Sequence, residues 1–456
     1  MLRNLKAVSI VLERGRCSWG RCYFCGWGRR FVNSSVEELK VRFLKFVDNV
    51  NTSEFPVLKI FCSGSFLDTD QFPRDFVYWC IENAERRGFK HVVIESRPEY
   101  VSEEILEAFT SYRVKIHIAI GLELADDNIL LNYYNKGFKV ENYIKAVKNI
   151  HKYGHYVRTY ILVNGHPILY NNPIYHKQVF EKTMKLVEEY SDSIVIINAY
   201  PHSLSKLFKD WIIMRWRPLS YEEFLNIVDT WIYSDKVEID FNNFNFIPRF
   251  PKDMKLFIRG VGCDILKHPY FEVWQDYIQR FYIPPSGKEY LLFIPCTYRK
   301  PYSKSKTHRI LLRELSKYEW FKKIHVVVVS TPGVIPYEYH TYYPFTHYDW
   351  PEWEETEDVK RCYIDITYDR VKKFLMRVRN FYKLFFTYFH YESETLQAIL
   401  KAFRDLGIED RLINVLDLDT YSKIKSEIGK DRIGSSIIRH PLAIKKLIDV
   451  LSRYVT

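Results

Sequence analysis

Cys17, Cys22 and Cys25 stand in the run Arg16-Cys-Ser-Trp-Gly-Arg-Cys-Tyr-Phe-Cys-Gly-Trp-Gly28. Three thiolates with four and two residues between them can wrap one face of an iron–sulfur cube and leave the fourth iron without a protein ligand. An iron left open in this way can bind and activate a small molecule. A structural zinc site would want a fourth Cys or His at finger-like spacing, and residues 26–51 hold neither. A disulfide pair would leave one cysteine over. A second reactive string runs Pro295-Cys-Thr-Tyr-Arg-Lys-Pro-Tyr-Ser-Lys-Ser-Lys-Thr-His308. It gathers the thiol of Cys296, the ammonium of Lys300, the phenol of Tyr302, the hydroxyl of Ser305 and the imidazole of His308, too polar a set for a core strand. Ser305 is also a candidate helix N-cap, which would aim backbone N–H groups at the same place.

The elements that must position these groups follow from hydrophobic periodicity. From residue 8 to about 245, short β-branched runs alternate with segments of helical period. The expected strands are 8–12, 57–62, 91–95, 115–122, 157–164 and 193–199, with helices at 36–47, 71–86, 102–111, 140–153 and 176–189. Six βα units with right-handed crossovers predict a partial (βα)6 barrel of TIM type, with active residues at the C-terminal strand ends. The cysteine loop follows the first strand. Ser63, Gly64 and Ser65 follow the second, Glu95 ends the third and Glu123 the fourth. Pro248, Pro251, Pro284, Pro285 and Gly287 make residues 246–287 read as an irregular extension and linker. The βα rhythm restarts at 288–456 with strands at 290–294, 324–329, 384–390 and 412–416 and a helix at 305–318, which predicts a three-layer α/β domain with ligands beyond its carboxyl strand ends. Cys263, after Gly-Val-Gly, reads as a turn residue or as a further metal or substrate ligand.

The chain has 456 residues, 47% of them apolar, enough for two or three cores rather than a disordered chain. Its formal charge is +11; residues 1–287 contribute +4 and residues 288–456 +7 by count of the sequence. A basic balance in both parts favours a polyanion such as RNA over acidic small substrates, simple solubility being the plain alternative. Eight irregularly spaced cysteines do not suggest a disulfide framework. The sequence offers neither a signal peptide nor a membrane span, so a reduced, cytoplasmic setting is expected.

Several stretches resemble known families. The cysteine spacing resembles the signature of radical S-adenosylmethionine (SAM) enzymes. Phe61-Cys-Ser-Gly-Ser-Phe-Leu-Asp68, Ile94-Glu-Ser-Arg-Pro-Glu99, Ile120-Gly-Leu-Glu-Leu-Ala125 and Asn135-Lys-Gly-Phe138 resemble the radical SAM domain of archaeosine-forming lyases over roughly residues 5–240. The resemblance implies a 4Fe-4S cluster on Cys17, Cys22 and Cys25, SAM held by Ser63, Gly64, Ser65, Glu95 and Glu123, and a ferredoxin or flavodoxin as reductant. The string at 295–308 is similar to the Pro-Cys-x3-Lys-Pro-Tyr-x2-Ser-x2-His motif of archaeosine synthase, which transfers an amine to the nitrile of a 7-deazaguanine base in tRNA. Gly333-Val-Ile-Pro-Tyr-Glu338 and Tyr343-Pro-Phe-Thr-His347-Tyr-Asp349 resemble the same catalytic core.

Together these resemblances imply a fusion of consecutive steps. The C-terminal domain would add free lysine to 7-cyano-7-deazaguanine in tRNA, and the barrel would cleave the lysine C–N bond to leave archaeosine. A nitrile needs a positioned nucleophile and proton delivery. Cys296 could add first as a thiolate favoured by Lys300 or His308; alternatively it packs while a Lys, Tyr or His moves the protons. Glu338, His347 and Asp349 are candidates for substrate binding, with the carboxylates on the lysine α-amino group, and Arg377 and Arg379 for RNA phosphate. Two other readings stay open: a different radical SAM tRNA modification, such as methylthiolation or acyl transfer, with the C-terminal domain only clamping RNA; and a non-enzymatic iron–sulfur RNA-binding protein.

Overall fold

The computed structural model describes residues 2–428 and 435–455 and divides into two compact units, Met1–Ile247 and Pro248–Thr456. In the first unit β1 (Ala7–Val11), β2 (Val57–Phe61), β3 (His91–Ser96), β4 (Lys115–Glu123), β5 (Tyr156–Val163), β6 (Ser193–Asn198) and β7 (Val237–Asp240) form one sheet in chain order. Every neighbouring pair is parallel. The sheet curls: Lys59 on β2 places Nζ 4.0 Å from Glu238 Oε2 on β7, a meeting across the concave face of strands separated by four others. The expected barrel is therefore present with seven strands rather than six. The seventh was missed because Val-Glu-Ile-Asp is four residues long and half acidic, too short to stand out as a strand.

Local chemistry accounts for the helices between strands. Ser35 accepts from the Glu38 amide while Glu38 reaches back to the Ser35 amide, a reciprocal cap that starts the helix Val36–Val47. Leu39, Phe43 and Val47, four residues apart, are its buried face. Ser102 caps the helix Glu103–Phe109 from one side only, its hydroxyl accepting from the Ile105 amide.

In the second unit β8 (Ile258–Arg259) pairs with β12 (Tyr348–Asp349), and β9 (Tyr290–Pro295), β10 (Ile324–Ser330), β11 (Gly333–Pro336), β13 (Leu384–Thr387) and β14 (Leu412–Asn414) form a sheet of order β11-β10-β9-β13-β14. Only β11 runs antiparallel in it. Helices Pro269–Arg280, Glu357–Val378 and Glu394–Asp405 pack with one another, as do Lys306–Leu315, Leu418–Ile428 and Pro441–Tyr454, which gives three layers. From β9 the chain moves to one side for β10 and β11 and later crosses to the other side of β9 for β13 and β14, so a crevice opens beyond the carboxyl end of β9.

The stretch 246–287 is not the linker its prolines suggested. Its helix Pro269–Arg280 buries Phe271, Trp274 and Ile278, and the Gln275 carboxamide bonds both the N–H and the C=O of Val334 on β11. Gly333 has φ 109°, and a Cβ there would sit 2.4 Å from Gln275 Cδ, so this close approach needs glycine. Pro269 occupies the first helical turn, where its missing N–H costs nothing. Cys263 is bonded to Cys362, S–S 2.18 Å. This single disulfide replaces the turn-or-ligand reading of Cys263. No helix among the described residues is long and apolar enough to cross a membrane.

Candidate active sites

The cysteine loop leaves β1 and crosses the carboxyl ends of the strands. Trp19 Nε1 donates to Asn135 O at 2.7 Å, Tyr23 N to Tyr134 O at 2.9 Å and Lys206 N to Tyr23 O at 3.1 Å, so two segments clamp it. Gly64 lies under it: a Cβ there would stand 3.0 Å from Cys17 Cα and 2.1 Å from Gln71 Oε1. The thiols are mutual neighbours. Burial pushes Cys25 up to about 11 and Cys22 upward as well, and Cys17 adds to both. Lys136 and Arg97 pull Cys22 the other way. The amides of Gly20 and Gly28 donate to the sulfurs of Cys17 and Cys25, each at 3.4 Å, and such N–H groups and cations stabilise thiolates. No three His, Cys, Asp or Glu among the described residues are grouped as ligands of a single metal ion. Three thiols on one loop with cationic and amide neighbours fit a cube that takes one sulfur per iron.

Beneath the loop the strand ends converge. Ser63 Oγ donates to Glu13 Oε1 at 2.8 Å; Ser65 is buried, its amide on Gln71 Oε1 and its hydroxyl accepting from Arg97 N. Glu95 Oε2 accepts from Cys62 N at 3.1 Å. Burial pushes the Glu95 carboxyl up to about 7, the Cys62 amide pulling against it and Glu123 adding to it. Glu123 has φ 70° and an ion pair at 2.9 Å with Lys136, both side chains nearly sequestered. Arg158 and Glu238, which the sequence reading overlooked, form a two-pronged pair at 3.1 and 2.6 Å on the concave face. The available signal was a lone cation inside an apolar parallel strand, Arg158 in Tyr-Val-Arg-Thr-Tyr and Lys59 in Val-Leu-Lys-Ile-Phe.

In the second unit Cys296 follows β9 directly. Ser330, which ends β10, shares a hydrogen bond with it and another at 2.7 Å with Tyr348 OH, which in turn meets Tyr302 OH at 2.7 Å. Lys300 Nζ stands 3.8 Å from the Tyr348 ring centroid and 3.3 Å from Tyr298 O. Cys296 and Lys300 line a cavity of ≈ 440 Å³ whose wall also carries Glu352, Glu355, Glu394 and the rings of Tyr363 and Trp350. Glu352 is pushed up by burial and then by Glu355 and Glu394; Glu355 is pushed up by burial and by Glu394. Carboxylates that oppose one another this way would be relieved by a cationic ligand.

Other expectations need correction. Burial holds the Cys296 thiol above its ordinary range, outweighing Ser330 and Lys300, and depresses the Lys300 ammonium. Burial thus favours the thiol over the thiolate at Cys296 and weakens, rather than strengthens, the neighbouring cation. His308 is buried with Nε2 2.9 Å from Pro295 O; burial takes it down to about 4, so at neutral pH it supplies no positive charge. Ser305 does cap Lys306–Leu315, accepting from His308 N at 3.1 Å. Glu338 lies elsewhere, bonded to Tyr282 and His325, because His325 opens β10 at the amino end of the sheet. His347 bonds Thr346. Asp349 sits 3.6 Å from Arg259 and acts on Lys300 without lining the cavity. Arg377 donates to Tyr282 O at 3.0 Å; Arg379 follows the helix Glu357–Val378. Arg370 is buried against Glu272, Leu266 O and Thr331 O, so this helix does not present a continuous cationic face.

Comparisons with known proteins agree with this division. Residues 15–176 match the Radical SAM superfamily and residues 271–418 a domain of unknown function, DUF5591. The chain is 27% identical over 202 residues to archaeosine synthase subunit beta of Methanosarcina acetivorans, covering 42% of this chain and 57% of that protein. It is 40% identical over 84 residues to subunit alpha of the same organism, 18% of this chain and 13% of that protein. A queuine lyase from Clostridium spiroforme bound to SAM and queuine aligns over 54% of this chain and 91% of its own at 18% identity, with a TM-score of 0.38. The chain spans about half the length of the first curated relatives it matches. It combines a radical SAM domain with DUF5591 and is homologous to both archaeosine synthase subunits, consistent with a fusion.

Proposed function

We propose that this chain carries out two consecutive steps of archaeosine formation on tRNA: lysine addition to the nitrile of 7-cyano-7-deazaguanine by the second unit, and release of the lysine carbon skeleton by the first. The observation that carries the first step is the cavity in which Cys296, hydrogen-bonded to Ser330, and Lys300 share a wall with Glu352, Glu355 and Glu394. Addition requires an uncharged amine and a proton for the nitrile nitrogen. Lys300, with its ammonium disfavoured by burial, can take a proton from Cys296 as sulfur bonds to the nitrile carbon and return it to the nitrogen. The lysine side-chain amine then forms the C–N bond and expels the thiol, leaving an amidine. The carboxylates hold the donor's remaining charged amine. Tyr302 and Tyr348 keep Ser330 oriented toward Cys296.

In the first unit Cys17, Cys22 and Cys25 would hold a 4Fe-4S cluster, and Ser63, Gly64, Ser65, Glu95 and Glu123 would hold SAM. When bound, these groups supply the radical chemistry that a C–N bond cleavage of this kind requires. Lys136 fixes Glu123. A ferredoxin or flavodoxin would serve as reductant. Joining the two units in one chain raises the effective concentration of the first product at the second site.

The test is mass spectrometry of nucleosides from nitrile-containing tRNA incubated anaerobically with lysine, SAM and reductant. Wild type should form archaeosine, Cys22→Ala should stop at the lysine adduct, and Cys296→Ala should form neither. Archaeosine formed by Cys22→Ala, or no adduct from either wild type or Cys22→Ala, would refute the assignment.

A further inference from the structure

We propose that the mouth of the half-barrel around the cysteine loop is an RNA-docking face, with Trp27 and Phe31 as stacking platforms and Arg16, Arg21 and Lys206 as phosphate contacts. The proposal rests on the reading above that tRNA is the substrate, and assigns the surface that reading leaves open.

Charge is concentrated there. Residues 13–31 and 199–217 contain nine Lys or Arg and two acids, whereas all of residues 1–247 hold 32 Lys and Arg against 30 Asp and Glu. Outside these two segments the unit is therefore net negative. Some of the cations are already engaged. Arg14 donates to Gln71 O, Arg29 to Leu204 O and Cys22 O, Arg215 pairs with Asp210 and Tyr23, and Arg30 lies 3.9 Å from Glu13. Arg16, Arg21 and Lys206 are exposed and carry no ion pair among those described. Arg21 and Lys206 rest over the rings of Trp19 and Tyr23, at 5.4 and 5.2 Å, which leaves their charge available to a polyanion.

Exposed apolar groups share the face. Trp27 is 51% exposed and Phe31 68%, and Leu204, Ile213 and Met214 are exposed as well. Trp27 is braced by His202, ring centroids 4.5 Å apart, and Phe31 is held by the bridge between Gly15 and Val32. Large rings held in the open among cations match nucleic acid with accessible bases, where stacking and phosphate contacts act together. The position also fits: the loop covers the strand ends that bear Ser63, Glu95 and Glu123, and a nucleoside reaching them passes this face.

The test is fluorescence anisotropy of labelled tRNA with anaerobically reconstituted full-length protein at several salt concentrations, iron content serving as the folding control. Trp27→Ala and Phe31→Ala should each weaken binding by about tenfold. The combined Arg16→Gln, Arg21→Gln, Lys206→Gln variant should lower the salt slope by about 2. Phe31 lies outside the cysteine run, so its variant remains informative if Trp27→Ala loses iron. Unchanged affinity in Phe31→Ala and an unchanged slope in the triple variant, with wild type binding tRNA, would overturn the inference and leave the substrate reading intact. Normal tRNA affinity with lost reduction by flavodoxin would overturn it in favour of an acidic protein partner. No tRNA binding by wild type would overturn the substrate reading itself, and this inference with it.

Discussion

Replacing Lys136 by Met should destabilise the first unit by about 3–5 kcal/mol. Lys136 Nζ and Glu123 Oε1 are 2.9 Å apart with side-chain exposures of 7% and 10%. At an effective dielectric of about 20 their attraction is roughly 6 kcal/mol, and desolvating the two ions cancels much of it, so the pair as a whole adds little. Removing the cation strands the carboxylate with its desolvation cost uncompensated. Lys136→Met combined with Glu123→Gln should therefore recover most of the loss. The deficit of the single variant should be larger at pH 8 than at pH 5, because a stranded carboxyl can be neutralised by a proton when the pH is low. Hydrogen exchange of the peptide covering 115–123 is the suitable assay, since it reports this unit without requiring the whole chain to unfold in one step. A loss below about 1 kcal/mol in the single variant, or a double variant no more stable than the single, would refute the account.

Glu95→Gln should stabilise the first unit at pH 8 and not at pH 4. The folded carboxyl is raised to about 7, so its favourable protonated state is present at low pH and lost as pH rises through 7; exchange of the β3 amides should show a difference on the order of 3 kcal/mol at pH 8. Cys296 should react with iodoacetamide more slowly than a free peptide thiol at pH 7, with under about 3% ionised, and its rate should climb about tenfold per pH unit up to pH 9; alkylation as fast as a peptide thiol would mean that the thiolate is preformed. Cys296→Ser should lose orders of magnitude in adduct formation with unchanged iron content, because a serine hydroxyl ionises far less readily than a thiol; near-wild-type rates would leave the proton-transfer role to Lys300 alone.

The barrel was legible because each of its first six strands is an apolar run of five to nine residues between helical segments. The helix Val36–Val47 coincides with its expected range because Ser35 and Glu38 mark its start and the apolar period marks its face. β7 and the helix Pro269–Arg280 were not legible, for opposite reasons. Four residues with two acids carry too little periodicity, and the four prolines at 248, 251, 284 and 285 masked an apolar period that was there. The strand-end carboxylates could be placed from the barrel alone, but the partner that orients Glu123 could not. Lys136 comes thirteen residues later and returns only because the chain doubles back at Asn135, φ 51°, and Gly137, φ 76°.

In the second unit the reactive string was visible as chemistry, while its electrostatics were not. Counting cations near Cys296 suggested a thiolate, but proximity in sequence says nothing about water. His308 falls on the inner side of its helix and stays neutral, Lys300 loses enough solvent to disfavour its charge, and the thiol loses more. The three carboxylates of the cavity come from the stretch after β12 and the start of the helix Glu394–Asp405, forty residues apart in the chain. The sequence reading placed the donor's recognition on Glu338 and Asp349 instead, because the stretches that hold them resemble the archaeosine synthase core. The sheet order separates Glu338 from Glu394: β11 runs antiparallel, so Glu338 is carried to the amino end of the sheet, while Glu394 follows β13 and arrives at the carboxyl end beside Cys296. A site built at a topological switch point gathers residues by strand direction, and strand direction is what a lone apolar run leaves undetermined.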